Sequence, residues 1–277
     1  MKIFLSILYS NIWLAFGAAI ITFYSSTLAH TTAATKPLIW MVFFATLFGY
    51  NFQKIIKYRN ITEGKSEYQN WMIKNRILLI AISLFCLQAM LILAARNYVL
   101  FIAWWKEGLI AISIVLLYSF PLLKGNGLRE LPGIKIFLVA GVWTLITAWL
   151  PVSIAIEIDF NLKAYVIIDR FLFIFCLGIL FDNRDKLFDK SSMKTIPQII
   201  GHSATIHLVV VVFVLLAFFP LLLVDSLLVG SCIFYLTACF AALQNKSVDT
   251  DLFYLLVIDG LILLQGIAMT AFFRINY

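Results

Sequence analysis

The sequence predicts an all-α, polytopic membrane protein with nine transmembrane helices. Three observations predict it. Apolar and aromatic residues make up 63% of the 277 residues and charged residues 13%, against about half and a quarter in a soluble domain. The apolar residues gather in runs of about 20, each long enough to cross a hydrocarbon core of about 30 Å. The connections between runs are short, so 1–277 reads as a single integral-membrane domain. This balance excludes an ordinary soluble protein, and it excludes disorder, which needs low hydrophobicity and high net charge.

The nine spans fall at about 4–29, 37–56, 76–95, 98–120, 134–151, 165–181, 204–222, 224–243 and 250–272. The first begins like a signal peptide, with Lys2 before an apolar stretch and Thr27-Leu28-Ala29 where cleavage would fall. Its apolar run exceeds the roughly 7–15 residues of a signal core, so it reads as a span. The fourth is interrupted by Lys106 and Glu107, which either pair near an interface or precede the true span.

The net charge of +7 comes from 21 Lys+Arg against 14 Asp+Glu. In a membrane protein such an excess orients loops and meets anionic lipid, so the expected partner is membrane lipid, not nucleic acid. With the N-terminus inside, 15 of the 21 basic residues fall on the inner side of nine spans. The N-terminus and the 54–76, 121–135 and 182–203 connections are therefore expected in the cytoplasm, across the cell (inner) membrane. Cys86, Cys176, Cys232 and Cys239 lie in apolar runs without metal-ligand spacing and read as small hydrophobes.

Two constellations carry chemistry. Asp182, Asp185 and Asp189 are spaced i, i+3, i+7 at the end of the sixth span. At about 100° per residue they share one helical face within about 60°. Like charges on one stripe repel, and Mg²⁺ bound by carboxylates together with a substrate phosphate relieves that repulsion. The alternative is a solvated helix end in which Arg184, Lys186 and Lys190 neutralise the acids; spacing alone leaves both open. The second constellation comes after the fourth span, in Tyr118-Ser119-Phe120-Pro121-Leu122-Leu123-Lys124-Gly125-Asn126-Gly127-Leu128-Arg129. Pro121 and the glycines force a tight excursion. Lys124 and Arg129 are placed either to meet an anionic headgroup or simply to fix topology.

Tyr-Ser-x-Pro-Leu with its basic, Gly-rich turn, the D-x-x-D-x-x-x-D stripe and the tail Lys194-Thr195-Ile196-Pro197 to Gly201 resemble the UbiA superfamily of membrane prenyltransferases. The resemblance spans about 118–203, with Tyr254 and Asp259-Gly260 further on. It implies a UbiA-like bundle that binds an isoprenyl diphosphate through Mg²⁺ on two Asp-rich motifs and alkylates an aromatic, quinone-type or other lipid-soluble acceptor. Asp182, Asp185 and Asp189 would be the second motif, acting as catalytic and metal-binding residues. The first, N-D-x-x-D-x-x-x-D, would begin at Asn51, but its acidic positions hold Phe52, Ile55 and Arg59. Asn51 with Lys54, Lys57, Arg59, Lys124 and Arg129 is then the expected diphosphate-binding set, cations standing in for a missing metal. The competing expectation is a non-catalytic protein of the same fold that binds an isoprenoid lipid or scaffolds a partner.

Polar residues within the spans complete the reading. Asn11, Gln88 and Gln265 are expected to hydrogen-bond between helices. Asp169 and Arg170, adjacent and on different faces, read as a local ion pair or as snorkelling side chains. Asp259, alone in the ninth span, is a functional candidate because an intramembrane carboxylate is costly. His202 and His207 read as interfacial.

Overall fold

In a computed structural model of the chain, residues 2–58, 66–119, 133–155, 157–186, 194–245 and 251–276 are described. They form α1 (Lys2–Tyr9), α2 (Ile12–Leu28), α3 (Thr32–Lys57), α4 (Glu67–Lys74), α5 (Arg76–Arg96), α6 (Tyr98–Ala103) and α7 (Trp105–Ser119). Next, α8 (Ile134–Thr144) passes through a π-helical turn, Leu145–Trp149, into α9 (Leu150–Ser153), and α10 covers Phe160–Asp185. Short α11 (Ile196–Ile200) precedes α12 (His202–Phe218) and α13 (Pro220–Leu223), and a 3₁₀ turn, Asp225–Leu227, leads into α14 (Leu228–Gln244). The last span is α15 (Asp251–Phe253), a second π-helical turn, Tyr254–Ile258, and α16 (Asp259–Asn276). No strand occurs among the described residues. Lipid offers the backbone no hydrogen bonds, so helices that satisfy their own amides are the expected solution.

Seven helical runs are long and apolar enough to cross a membrane, and α1 with α2 makes an eighth if the pair, bent by 63°, is one span. The bend falls at Asn11, whose φ of 62° is left-handed, a conformation Asn tolerates better than most residues. The fourth expected span is two helices, α6 and α7, broken at Trp104 beside the Lys106-Glu107 interruption. Within the described residues they run to 6 and 15 residues, against the roughly 17 needed to cross alone.

The long helices pack as a closed ring: α2 against α16, α16 against α14, then α12, α10 and α8, whose π-helical turn returns to α2. Outside the ring, α3 packs on α2, and α5 on α3. Large apolar side chains such as Ile77, Leu84 and Leu91 on α5 face outward, as lipid contact requires. Gln88 is also exposed there, so the expected interhelical bond from it is not made. All four cysteines are free thiols. Helices α2 and α16 approach each other closely at Gly266. A Cβ there would lie 2.6 Å from Ile20 Cγ2 and 2.8 Å from the Ile20 carbonyl carbon.

The expectation for Asp169 and Arg170 is corrected. Neither snorkels and they do not pair; they are 2% and 0% exposed. Arg170 donates to Thr147 Oγ1 at 2.9 Å, and to the Ile21 carbonyl and Ser25 Oγ at 3.3 Å each. Asp169 accepts from Tyr235 Oη at 2.5 Å and from Gln265 Nε2 at 3.0 Å. Because adjacent helical residues point to different faces, each finds partners on different neighbours. Gln265 thus makes its expected interhelical bond.

Because backbone lies opposite Gly266, Ala cannot be accommodated by moving a side chain alone. Gly266→Ala is expected to destabilise the protein in detergent by about 1–3 kcal/mol, read as a lowered midpoint in a thermal unfolding assay.

Candidate functional site

The site is built at the end of the bundle where α3 and α10 finish and α16 begins. On the α3 side, Asn51 is fully buried. Its side-chain oxygen accepts from Asn11 Nδ2 at 2.7 Å, and Asn11 Oδ1 accepts from Lys54 Nζ. The left-handed turn at Asn11 is what swings this amide onto α3, so the bend and the site share a cause. Lys54 Nζ also donates to the Tyr9 carbonyl at 3.4 Å and lies 4.9 Å above the Tyr68 ring centre. Ser66 accepts from the Gln69 amide to cap α4. Tyr9 of α1 makes edge contacts with Tyr68 and Trp71 of α4, holding that short helix over the bundle. Burial pushes the Tyr68 phenol well above its ordinary range. The negative fields of Tyr58, Asp259 and Asp251 act in the same direction and Arg184 opposes them, so Tyr68 stays a neutral phenol at physiological pH.

On the α10 side, Asp182 is buried and pairs with Lys135 at 2.6 Å. One turn on, Asp185 accepts from Arg184 Nε at 2.7 Å. The Arg184 guanidinium lies 4.9 Å over Tyr254 and 5.2 Å over Phe181, and 3.8 Å from Asp251. Between these acids, Asn183 donates to Asn245 Oδ1 at 3.2 Å, which also accepts from Tyr254 Oη at 3.1 Å. His202, exposed as expected of an interfacial residue, bonds Asn183 Oδ1 at 3.1 Å. Thr195 and Gln198 form a reciprocal capping box that starts α11.

Asp259 links the two sides. It is 7% exposed and within electrostatic reach of both Lys54 and Arg184. Beside it, an apolar groove of about 500 Å³ between α14 and α16 is lined by residues including Trp13, Phe240, Phe253, Val257, Gly260 and Leu264.

The structure therefore brings Asn51 and Lys54 together through Asn11, and places Asp182 and Asp185 one turn apart on α10. Arg59, Lys124, Arg129 and Asp189 lie outside the described residues, as does the side chain of Lys57. Lys135 was legible only as a topological charge and is a partner of Asp182. The Asn183–Asn245–Tyr254 network had no spacing signal, since it joins three separate segments.

No protein-family model and no curated protein matches the chain. Two solved structures do. One is a UbiA homologue from Archaeoglobus fulgidus bound to GPP and Mg²⁺. It matches with a TM-score of 0.56 and 16% identity, over 95% of this chain and 98% of that one. The chain has the UbiA fold. The other is a digeranylgeranylglyceryl phosphate synthase in membranes, with a TM-score of 0.53, also 16% identical, over 95% and 96% of the two chains. At that identity the likeness is one of fold, and the chemistry must be argued from this chain's own UbiA-fold site.

For a divalent cation, the donor set fits in part. Asp182 and Asp185 are hard oxygen ligands one turn apart, suited to one Mg²⁺ completed by phosphate and water oxygens. Among the described residues no three His, Cys, Asp or Glu gather into a metal-holding group. On the α3 side the described acidic positions of the motif hold Phe52 and Ile55 and the neighbouring charge is the Lys54 ammonium, so a second metal does not fit there.

Lys135→Met removes the 2.6 Å ion pair to the buried Asp182 carboxylate and is expected to destabilise the protein by up to about 3–5 kcal/mol. The double variant Lys135→Met, Asp182→Leu should recover most of that loss. Thermal unfolding of both in detergent checks the pair.

Proposed function

We propose that the protein is a UbiA-type membrane prenyltransferase. It binds an isoprenyl diphosphate where α3 and α10 end and transfers the prenyl group to a lipid-soluble acceptor of the aromatic or quinone kind. The observation that carries this reading is the acid pair Asp182 and Asp185, one turn apart and met by Lys135 and Arg184, with Lys54 at the same end within electrostatic reach of Asp259. The positive-inside count assigns this end to the cytoplasmic face of the cell (inner) membrane, with 1–277 acting as one domain. A structure of a UbiA homologue bound to GPP and Mg²⁺ supports the choice of ligand class.

In this reading Asp182, Asp185 and Asp189 hold one Mg²⁺, which when bound neutralises charge on the diphosphate leaving group. The chain's own residues supply the rest. Lys54, with Lys57, Arg59, Lys124 and Arg129, provides the counter-charge that a second metal would otherwise give. Asn51 and Asn11 fix the Lys54 ammonium in place. The C–O bond between prenyl carbon and diphosphate breaks with its electron pair leaving on the phosphate, and the acceptor forms the new bond and gives up a proton. The rings of Phe181, Tyr254 and Tyr68 at this end hold the Arg184 and Lys54 cations in place.

One observation favours a second reading. Both described carboxylates of the stripe already meet cations, at 2.6 and 2.7 Å. A site neutralised from within suits a non-catalytic protein that binds an isoprenoid lipid or holds a partner.

The deciding experiment incubates membranes with labelled geranyl, farnesyl and longer diphosphates, Mg²⁺ and native lipid extract. A labelled lipid product is expected; none with any donor selects the non-catalytic reading. In the purified protein, Asp182→Asn with Asp185→Asn is expected to weaken Mg²⁺-dependent diphosphate binding by about tenfold or more, a loss of at least about 1.4 kcal/mol. Unchanged binding would sink the site assignment.

A further inference from the structure

Asp259 opens α16 directly after the π-helical turn Tyr254–Ile258. More than nine-tenths of it is buried, yet among the described residues it makes no hydrogen bond and no ion pair. The other deeply buried acids are matched at contact distance: Asp169 by Tyr235 and Gln265, Asp182 by Lys135. An unmatched carboxyl group inside a membrane bundle is costly and marks a functional position.

Polar and charged groups from three other helices surround it. Tyr50 and Lys54 of α3, Tyr68 of α4 and Arg184 of α10 all lie within its electrostatic reach. The two cations are engaged elsewhere at contact range, Lys54 with Asn11 and the Tyr9 carbonyl, and Arg184 with Asp185 and Asp251. Three residues before Lys54, and so on the same face of α3, the fully buried Asn51 carries in Nδ2 a donor without an acceptor. The α3–α16 side of the site thus holds an unmatched acceptor and, on α3, an unmatched donor, which is the complement of a hydroxyl-bearing ligand.

We propose that Asp259 anchors the acceptor substrate. Its carboxyl oxygen receives the hydrogen bond of a hydroxyl on a lipid-soluble aromatic and holds that head group between α3 and α16, beside the diphosphate site. The assignment rests on the reading above, in which an acceptor enters this end of the bundle. A carboxyl group keeps an acceptor oxygen in either protonation state, so the anchor works whether or not Asp259 is ionised. A site built to hydrogen-bond a hydroxyl discriminates strongly against an analogue that lacks it, because its own polar group is then left unpaired.

The test uses the purified full-length protein and two probes, a short-alkyl hydroquinone and its dimethyl ether, with geranyl diphosphate plus Mg²⁺ titrated in parallel. The wild type is expected to prefer the hydroquinone by about tenfold or more. Asp259→Leu, which replaces an unmatched carboxyl with an apolar group of similar size, should abolish that preference. Equal binding of the two probes by the wild type overturns the proposal, and that comparison needs no variant. A preference that survives in Asp259→Leu overturns it as well. Loss of diphosphate binding with the hydroquinone preference intact refutes the transferase reading alone; the converse pattern refutes the role of Asp259 alone.

Discussion

Arg170 has no exposed surface and lies within the span Phe160–Asp185, where a charged side chain costs about 2.5–3.5 kcal/mol or more unless it is answered. The answer comes from α2 and from the turn after α8, through Ile21, Ser25 and Thr147. Its neighbour Asp169 faces the other way and is answered from α14 and α16 by Tyr235 and Gln265. Two consecutive residues therefore fasten α10 to helices on both sides of the ring. Without water to satisfy these groups, a looser closure would strand them, so the polar centre specifies which helices meet. Asp182 lies 12 residues further along the same helix, about 18 Å at 1.5 Å per residue. The acid pair of the site stands at the end of a strut whose middle is fixed.

The two π-helical turns belong to the same design. A single π turn inserts a residue and rotates the register of the helix beyond it, and such turns recur at functional positions. The first, Leu145–Trp149, contains Thr147, the hydroxyl that meets Arg170. The second, Tyr254–Ile258, ends where Asp259 begins α16. After that turn Asp259 is directed toward Lys54 and Arg184, while Gly260 lies against Trp13. A regular helix through the same residues would present them with a different register.

The distance between partners along the chain decided how much of this was legible in the sequence. The spans could be read from hydropathy because length and apolarity are local properties. The bend at Asn11 could not, since an isolated Asn in an apolar run gives the same hydropathy profile whether its φ is negative or positive. Asn11 and Gln265 were correctly placed in interhelical bonds, because a buried amide in lipid has few other options. The partners of Asp169 and Arg170 are 23 to 149 residues away in sequence, and no spacing rule reaches that far. Lys135 illustrates the same limit. Its charge was counted for topology, but its contact with Asp182 depends on the packing of α8 on α10.

The charge arrangement at the site changes what ligand binding must accomplish. Two acid clusters, as the UbiA resemblance implied, would repel each other until metals assembled them. Here the acids are met by cations of the chain itself, Asp182 by Lys135 and Asp185 by Arg184, and the α3 side carries the Lys54 ammonium. The consequence is competition. An anion reaching for Arg184 must compete with Asp185 and Asp251, and one reaching for Lys135 must compete with Asp182. Each such exchange trades one ion pair for another and yields a difference, not a full Coulomb energy. Lys54 is different in kind. Its contacts include the Asn11 amide, the Tyr9 carbonyl and the Tyr68 ring, neutral groups that fix the ammonium without cancelling its charge. Lys54 thus brings a fixed positive charge to this end from the helix where the related pattern would have placed aspartates.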